Sequence, residues 1–277
     1  MPSPAPIEQA LATLLRLSNS GSPQQALALG LALLEQAPGH AALHQLLAHL
    51  FLGQGQLGPA RAHIATSLRL RPEHLPSRLL AARLARQAGQ PEQALIELEA
   101  ARALAPTDAE LTRQLADACL EAGQPARAEA LLRTLLEGPA GASAALGYEL
   151  GRALRAQDRL DEAAQAFAGA VKADPALVPA WFALALVRQD LGQIDAAVAA
   201  LGALLALDPA HDQAWLNLGL LQQAQGRCDE ALSSYAQAHA LQPASFGRIA
   251  HALCSQPHGR IWLQLDELRQ LLQGLRA

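Results

Sequence analysis

The sequence has 277 residues, of which 51% are hydrophobic, and it carries a formal net charge of −4 at pH 7. Because it has no basic excess, the sequence argues against a general nucleic-acid binder. Aromatic residues make up 3% of the chain and β-branched residues are rare, so the composition favours helices over sheets.

The start of the chain shows neither the basic run nor the apolar segment of a secretory signal, although a signal removed earlier stays an alternative. No apolar stretch is long enough for a transmembrane helix. Cys119, Cys228 and Cys254 are odd in number and widely spaced, which does not indicate a disulfide framework. Lys172 is the only lysine among the 21 basic residues, a bias typical of GC-rich bacterial genomes. We therefore expect a cytoplasmic bacterial protein that does not insert into a membrane.

Prolines and glycines recur at a fixed spacing along most of the chain, which indicates an internal repeat. Intervals of 34 residues separate Pro38, Pro72 and Pro106, and again Pro175, Pro209 and Pro243, with one extra residue within 138–143. The same interval relates Gly21, Gly55, Gly89 and Gly123, and then Gly192 and Gly226, with Asp158 in the place of a glycine.

An alanine follows five residues after each of these turn positions, which fixes the register of the repeat. The alanines are Ala26, Ala60, Ala94, Ala128, Ala163, Ala197 and Ala231. Such a column predicts a crossing of two helices where only a methyl group fits. Each unit thus predicts two amphipathic helices joined by a glycine turn, and the second helix begins at proline or aspartate.

The predicted units cover residues 5–38, 39–72, 73–106, 107–141, 142–175, 176–209 and 210–243. Residues 244–277 depart from the period, and we expect a helical cap there, since terminal units of a solenoid are usually atypical. The seven periods leave no room for a separate catalytic domain, and no nucleophile or paired carboxylate motif stands out. We therefore predict neither an enzyme nor a cofactor.

The last unit carries Trp215-x2-Leu218-Gly219, then Ala231-x3-Tyr235, then Pro243, and this pattern resembles the tetratricopeptide signature. The first four units are more degenerate, with Ala10, His44, Arg78 and Thr112 in the tryptophan column. The resemblance implies an all-α, right-handed superhelical solenoid of seven helix pairs. It also implies a protein-interaction scaffold whose first helices line a concave groove.

In this register the groove has a basic centre and an apolar C-terminal half. The residues predicted to face it are Arg83, Arg86, Arg113, Tyr148, Arg152, Arg155, Phe182, Leu186, Leu216 and Leu220. Arginine suits bidentate contacts with carboxylate or phosphate, and apolar neighbours offer anchor pockets. We expect an acidic, partly apolar peptide or partner protein. The alternative is a set of solvated arginines, some of them paired with Glu110, Asp117 and Glu149.

Two further alternatives stay open. The chain could assemble into a homo-oligomer through its C-terminal segment or an end face. It could instead be an accessory subunit that carries a metal at His251, Cys254 and His258, but the sequence shows no fourth ligand, and packing and capping in the terminal element is the favoured explanation of these residues.

Overall fold

A computed structural model describes residues 4–138, 143–255 and 265–275. These ranges contain sixteen α-helices, one short 3₁₀ helix and no strand, so the all-α prediction is confirmed. Of the helices in these ranges, none combines the length and the apolarity needed to cross a membrane.

The helices follow one another with short connections. They are α1 (Pro4–Asn19), α2 (Pro23–Gln36), α3 (Ala41–Gly53), α4 (Leu57–Leu70), α5 (Leu75–Gln87), α6 (Pro91–Leu104), α7 (Ala109–Glu121), α8 (Pro125–Glu137), α9 (Ala144–Arg155), α10 (Leu160–Ala173), α11 (Val178–Asp190), α12 (Ile194–Leu207), α13 (Asp212–Ala224), α14 (Cys228–Leu241), the 3₁₀ helix (Pro243–Ser245), α15 (Phe246–Ser255) and α16 (Leu265–Gly274). The first fourteen fit seven pairs.

The chain divides into two compact units, Met1–Leu131 and Leu132–Ala277. In unit 1, each helix from α1 to α6 packs against the next one in the chain. In unit 2 the same holds from α9 to α13, and α16 packs against α14 and α15. Each unit is therefore a stack of helix pairs, in which contacts are made mostly between neighbours in the chain.

The turn inside each pair uses one residue with a left-handed backbone. The six turn glycines predicted from the sequence have φ between 67° and 77°, and Asp158 has φ 59° in the same position. The residue after each of these positions donates its backbone N–H to the carbonyl five residues earlier, for example Gln90 to Ala85 at 2.9 Å and Arg159 to Leu154 at 3.1 Å. This bond defines a Schellman end, so each first helix is terminated by the same device.

The alanine column lies in the interior of the helix pairs. All seven alanines are buried, and none exposes more than 1% of its surface. Sixteen residues after Gly151 and Gly219, the ring atoms of Phe167 and Tyr235 fill the space that a β-carbon on the glycine would need, at 2.5 Å. The first pair inverts the arrangement, since a β-carbon on Gly30 would lie 3.0 Å from Leu14. Small and large residues thus alternate across the crossings to keep the helices close.

In four of the pairs the tryptophan column is hydrogen-bonded to the loop before the pair. Trp181 donates its indole N–H to the carbonyl of Pro175 at 2.9 Å, and Trp215 donates to Pro209 at the same distance. In two degenerate units His44 Nε2 and Arg78 Nε make the equivalent bond to Pro38 and Pro72 at 3.0 Å. Tryptophan, arginine and histidine can therefore all supply the donor for this contact.

The C-terminal helices continue the core of unit 2. Helix α15 begins 34 residues after α13, so Ile249 takes the place of Trp215, and its side chain is fully buried. Gln223 of α13 donates to the carbonyl of Ala252 at 3.2 Å. Leu268 and Leu272 of α16 join the same apolar cluster. The segment thus seals the apolar face that the last pair would otherwise expose.

The size match at the crossings can be tested with Gly151→Ala. The added methyl group meets the Phe167 ring, so we expect the free energy of unfolding to fall by about 1–3 kcal/mol, as for other overpacked cores. The double variant Gly151→Ala with Phe167→Leu reproduces the combination found at Ala185 and Leu201, and it should recover most of this loss. Urea unfolding measures both effects, and an unchanged single variant would contradict the close approach.

Asp158 is the one turn residue that must hold a left-handed backbone with a side chain. Because this conformation costs a non-glycine residue about 1–2 kcal/mol, Asp158→Gly should raise the free energy of unfolding by about 0.5–1 kcal/mol after the entropy of glycine is subtracted. The reciprocal control is Gly192→Asp in the next turn, which should lower it by a similar amount. Equal stability of both variants and the parent would refute this account of the turn.

Candidate functional site

The outward face of the first helices brings most of the predicted site residues together in two cavities, one in each unit. On α9 the spacing of Tyr148, Arg152 and Arg155 places the three side chains on one helix face. On α11 the same reasoning applies to Phe182 and Leu186. These side chains remain accessible because the other faces of the helices are buried by packing within and between pairs.

The unit 1 pocket is a cavity of about 540 Å³ between α3, α5 and α7. It is lined by Gln45, His49, Pro76, Leu79, Leu80, Ala82, Arg83, Arg86, Leu98, Arg113 and Gln114. Three of the predicted arginines therefore converge here. Gln45, His49 and Leu79, which the register also placed on this face, lie beside them.

Arg86 is held by two carboxylates of α7. Its Nε and Nη2 atoms donate to the two carboxylate oxygens of Glu121 at 2.9 and 2.5 Å, and Nη2 also donates to Asp117 at 2.6 Å. The hydrogen bond that Arg86 donates to Glu121, followed by the charge of Asp117, raises the pKa of Arg86 against the opposing effect of burial. This guanidinium ties α5 to α7, and its charge is already balanced.

Arg113 is balanced in the same way by Glu110, three residues earlier on α7. Its Nε and Nη2 atoms donate to the two carboxylate oxygens at 2.8 and 2.7 Å. Hydrogen bonds from Arg113 first, and then from Gln114, lower the pKa of Glu110 from 4.5 to about 2. Arg83, by contrast, is exposed and makes no ion pair within the described part of the chain. The basic centre predicted for unit 1 thus reduces to one uncompensated arginine.

The unit 2 pocket is a cavity of about 630 Å³ whose walls come from α9, α10, α11 and the start of α13. It is lined by Tyr148, Arg152, Arg155, Ala156, Phe167, Val178, Pro179, Phe182, Ala183, Leu186 and His211. Five of the predicted groove residues lie here. The aromatic rings stand in pairs, since Tyr148 and Phe167 have centroids 5.8 Å apart and Phe182 and His211 have centroids 4.9 Å apart.

His211 caps α13 and has a defined tautomer. Its Nδ1 accepts the backbone N–H of Ala214 at 3.2 Å, so the neutral ring carries its proton on Nε2. Arg155 makes one ion pair, with Asp190 at 3.9 Å, and both side chains are more than two fifths exposed. No residue in this lining is acidic, so the charged and polar groups at the pocket are hydrogen-bond donors, together with the Tyr148 hydroxyl.

Leu216 and Leu220 do not join either pocket. Leu216 is only 5% exposed and belongs to the apolar cluster that includes Ile249 and Leu253, and Leu220 packs against that cluster. The register placed both residues on the groove face of α13, but the C-terminal helices cover them. The apolar part of the open surface is instead formed by α9 and α11.

Several residues that matter were not identified from the sequence. Val178, Pro179 and His211 line the unit 2 pocket, and Glu121 neutralises Arg86. The repeat predicts the position of His211, because it lies 34 residues after Leu177, which is the N-cap residue of α11. Of the two carboxylates that pair with Arg86, Asp117 was among the partners considered from the sequence and Glu121 was not.

The histidines have structural explanations. His40 caps α3 by accepting the N–H of Leu43 at 3.3 Å. Because the carbonyl of Pro38 only accepts, His44 carries its proton on Nε2, and its Nδ1 accepts from Nδ1 of His63 at 2.9 Å. Burial, and then the charge of His44, lower the pKa of His63.

The metal hypothesis named three residues near the C-terminus. His251 and Cys254 lie on α15, and His258 falls outside the described residues. Across 4–138, 143–255 and 265–275, no three His, Cys, Asp or Glu side chains are grouped as they would be around a metal ion.

Stacked helix pairs with close crossings and an open first-helix face define a helical repeat protein. Three family models, each described as tetratricopeptide repeat, match the sequence: one over residues 46–109 and 182–246, one over 85–146 and one over 148–177. The chain belongs to the tetratricopeptide repeat family. No curated protein matches the sequence.

Solved structures share the fold at low identity. The C-terminal part of a TPR repeat-containing protein from Cytophaga hutchinsonii is 13% identical with a TM-score of 0.70, over 87% of this chain and 98% of that one. PilW, described as a type IV pilus biogenesis factor, is 20% identical with a TM-score of 0.62, over 73% and 94%. YrrB, described as a TPR protein with an unusual peptide-binding site, is 19% identical with a TM-score of 0.54, over 67% and 95%.

The ion pair between Arg113 and Glu110 can be tested by measuring the pKa of Glu110. Its folded pKa lies below 4.5, so the stabilisation is complete above that pH and is lost as the pH falls toward 2. We expect a carboxyl titration by NMR to give a midpoint near 2 for Glu110 in the parent chain and a higher midpoint in Arg113→Gln, which stays below 4.5 because the hydrogen bond from Gln114 remains. A midpoint near 4.5 in both would mean that the pair does not form.

Proposed function

We propose that this protein is a non-catalytic interaction scaffold that holds a peptide or a partner protein against the outward face of its first helices. The observation that carries the proposal is the pair of cavities on that face, in which eight of the ten predicted residues are found. Cavities of this size, lined by a few convergent polar groups, are typical ligand sites. Membership of the tetratricopeptide family and the likeness to YrrB, which is described as binding a peptide, support it.

The lining chemistry favours binding over catalysis. Neither pocket is lined by a carboxylate, a serine or a cysteine, so neither offers a nucleophile with a general base beside it. Arginine and aromatic side chains, in contrast, are the residues that most often dominate protein interfaces. The proposal therefore assigns the two pockets to recognition.

The two pockets offer a partner different contacts. In unit 1 the charges of Arg86 and Arg113 are compensated, which leaves Arg83 to interact with an acidic group. In unit 2 an apolar wall lies beside Arg152 and Arg155. An acidic partner with apolar side chains would satisfy both surfaces, with the tighter contacts expected in unit 2 because desolvated apolar anchors contribute most to affinity.

The proposal is tested by affinity capture from the native cell extract with four forms of the full chain. These are the parent, Arg83→Glu, the double variant Arg152→Glu with Arg155→Glu, and the control Arg227→Glu, whose exposed side chain precedes α14 at the N-cap position and lines neither pocket. We expect a stoichiometric protein partner with the parent and the control. Its affinity should fall by about tenfold or more in the double variant and by less in Arg83→Glu.

Capture of the same partner with equal affinity by all four forms would place binding elsewhere on the chain. Circular dichroism of each variant confirms that the helices are intact, since every substituted side chain is solvent-exposed.

A further inference from the structure

The unit 2 pocket has an apolar floor that is wide enough for a large side chain. Val178, Phe182 and Leu186 repeat every four residues along α11 and form one wall. Tyr148 forms the other wall, and the fully buried ring of Phe167 lies behind it, with the two ring centroids 5.8 Å apart. About 630 Å³ of space between these walls accommodates an aromatic or branched aliphatic side chain together with part of its backbone.

The polar groups around this apolar floor are mainly hydrogen-bond donors. Arg152 and Arg155 can only donate hydrogen bonds, and His211 presents Nε2–H because its Nδ1 is occupied by the N–H of Ala214. Apart from the capping Nδ1 of His211, the acceptor that these lining side chains offer is the Tyr148 hydroxyl. Arg152 already has an interaction within the chain, and an occupant with negative charge would share this side chain with that partner. A cationic occupant, in contrast, would find no counter-charge among the lining residues.

The ion pair that Arg155 already makes does not oppose this. Its nearest atom lies 3.9 Å from Asp190, and the two side chains are 43% and 47% exposed. Exposed pairs of this kind contribute between 0 and about 1 kcal/mol. A ligand carboxylate can thus replace Asp190 at little cost, in contrast to the short contacts that hold Arg86 in unit 1.

The spacing of the arginines along α9 sets the spacing in the ligand. Arg152 and Arg155 follow Tyr148 by four and seven residues, which correspond to about 6 and 10 Å along the helix axis. An extended peptide covers about 3.3 Å per residue. The carboxylate is therefore expected two or three residues away from the side chain that enters the pocket.

From these observations we infer that the unit 2 pocket is a specificity site for a peptide segment of another protein, in which a bulky apolar residue enters the cavity and an Asp or Glu two or three residues away contacts Arg152 and Arg155. This inference rests on the proposed scaffold function and names the chemistry of its partner. His211 is assigned as a positioning and specificity residue that donates Nε2–H to the same ligand.

The test begins with a selection that needs no knowledge of the native partner. Random twelve-residue peptides displayed on phage are enriched on the immobilised full-length chain, in parallel with the double variant Arg152→Gln with Arg155→Gln. We expect parent-specific sequences to share a Phe, Trp, Tyr, Leu or Ile with an acidic residue two or three positions away. Synthetic versions of the best peptide, with Glu or Asp changed to its amide, should bind about tenfold more weakly by isothermal titration calorimetry.

His211 supplies a matched pair of protein variants. Asn and Asp both cap helices well, so His211→Asn and His211→Asp should keep α13 intact. Only the aspartate adds a negative charge beside Arg155 and the ligand carboxylate. We expect His211→Asp to bind the selected peptide at least tenfold more weakly than His211→Asn, with Phe182→Ala similarly impaired and the control Arg227→Gln unchanged.

The possible results separate the two proposals. Selected peptides without an acidic residue, or equal binding to His211→Asp and His211→Asn, would overturn the pocket assignment and leave the scaffold proposal in place. Failure to enrich any peptide also counts against the pocket as a peptide site, while capture of a protein partner from cell extract decides the scaffold function independently.

Discussion

The close crossing of the two helices in each pair is the constraint on which the rest of the structure depends. A fully buried alanine, and a small residue matched to a large one sixteen positions later, bring the helix axes together at a fixed point. Once that point is set, the spacing of every other residue on the helices follows. The left-handed turn residue and the Schellman hydrogen bond then end the first helix at the same position in each repeat, so that the second helix can pack back against it.

Two sides of each first helix are buried by packing, so the residue types on the third side are not constrained by the fold. In unit 1 it carries arginines that are offset by neighbouring carboxylates, and in unit 2 it carries aromatic residues beside donors. The two surfaces differ although the scaffold beneath them is the same. Recognition chemistry in such a protein is therefore decided by a few positions per repeat, which the fold leaves unconstrained.

The fold was predictable from the sequence to the level of helix pairs and turns, since glycine, alanine and proline columns report directly on backbone geometry. The groove face was predictable for α5, α7, α9 and α11 for the same reason. It failed for Leu216 and Leu220, because a periodic pattern within α13 holds no information about what covers it from a later segment. Pairing of the arginines with Glu110 and Asp117 was an alternative from the sequence, and Arg86 contacts Asp117, whereas its contact with Glu121 was not predicted because ion pairs between repeats depend on side-chain reach as well as on register.

The register of α15 has a consequence for how such a chain can change its length. α15 follows α13 at the same interval that separates earlier first helices, and residues of α15 and α16 pack into one apolar cluster with the last pair. If the gene gained or lost the codons for one whole 34-residue repeat, the terminal helices would therefore still meet an equivalent apolar surface. The number of repeats, and with it the area of the recognition surface, can therefore change in evolution while the same C-terminal helices continue to cap the chain.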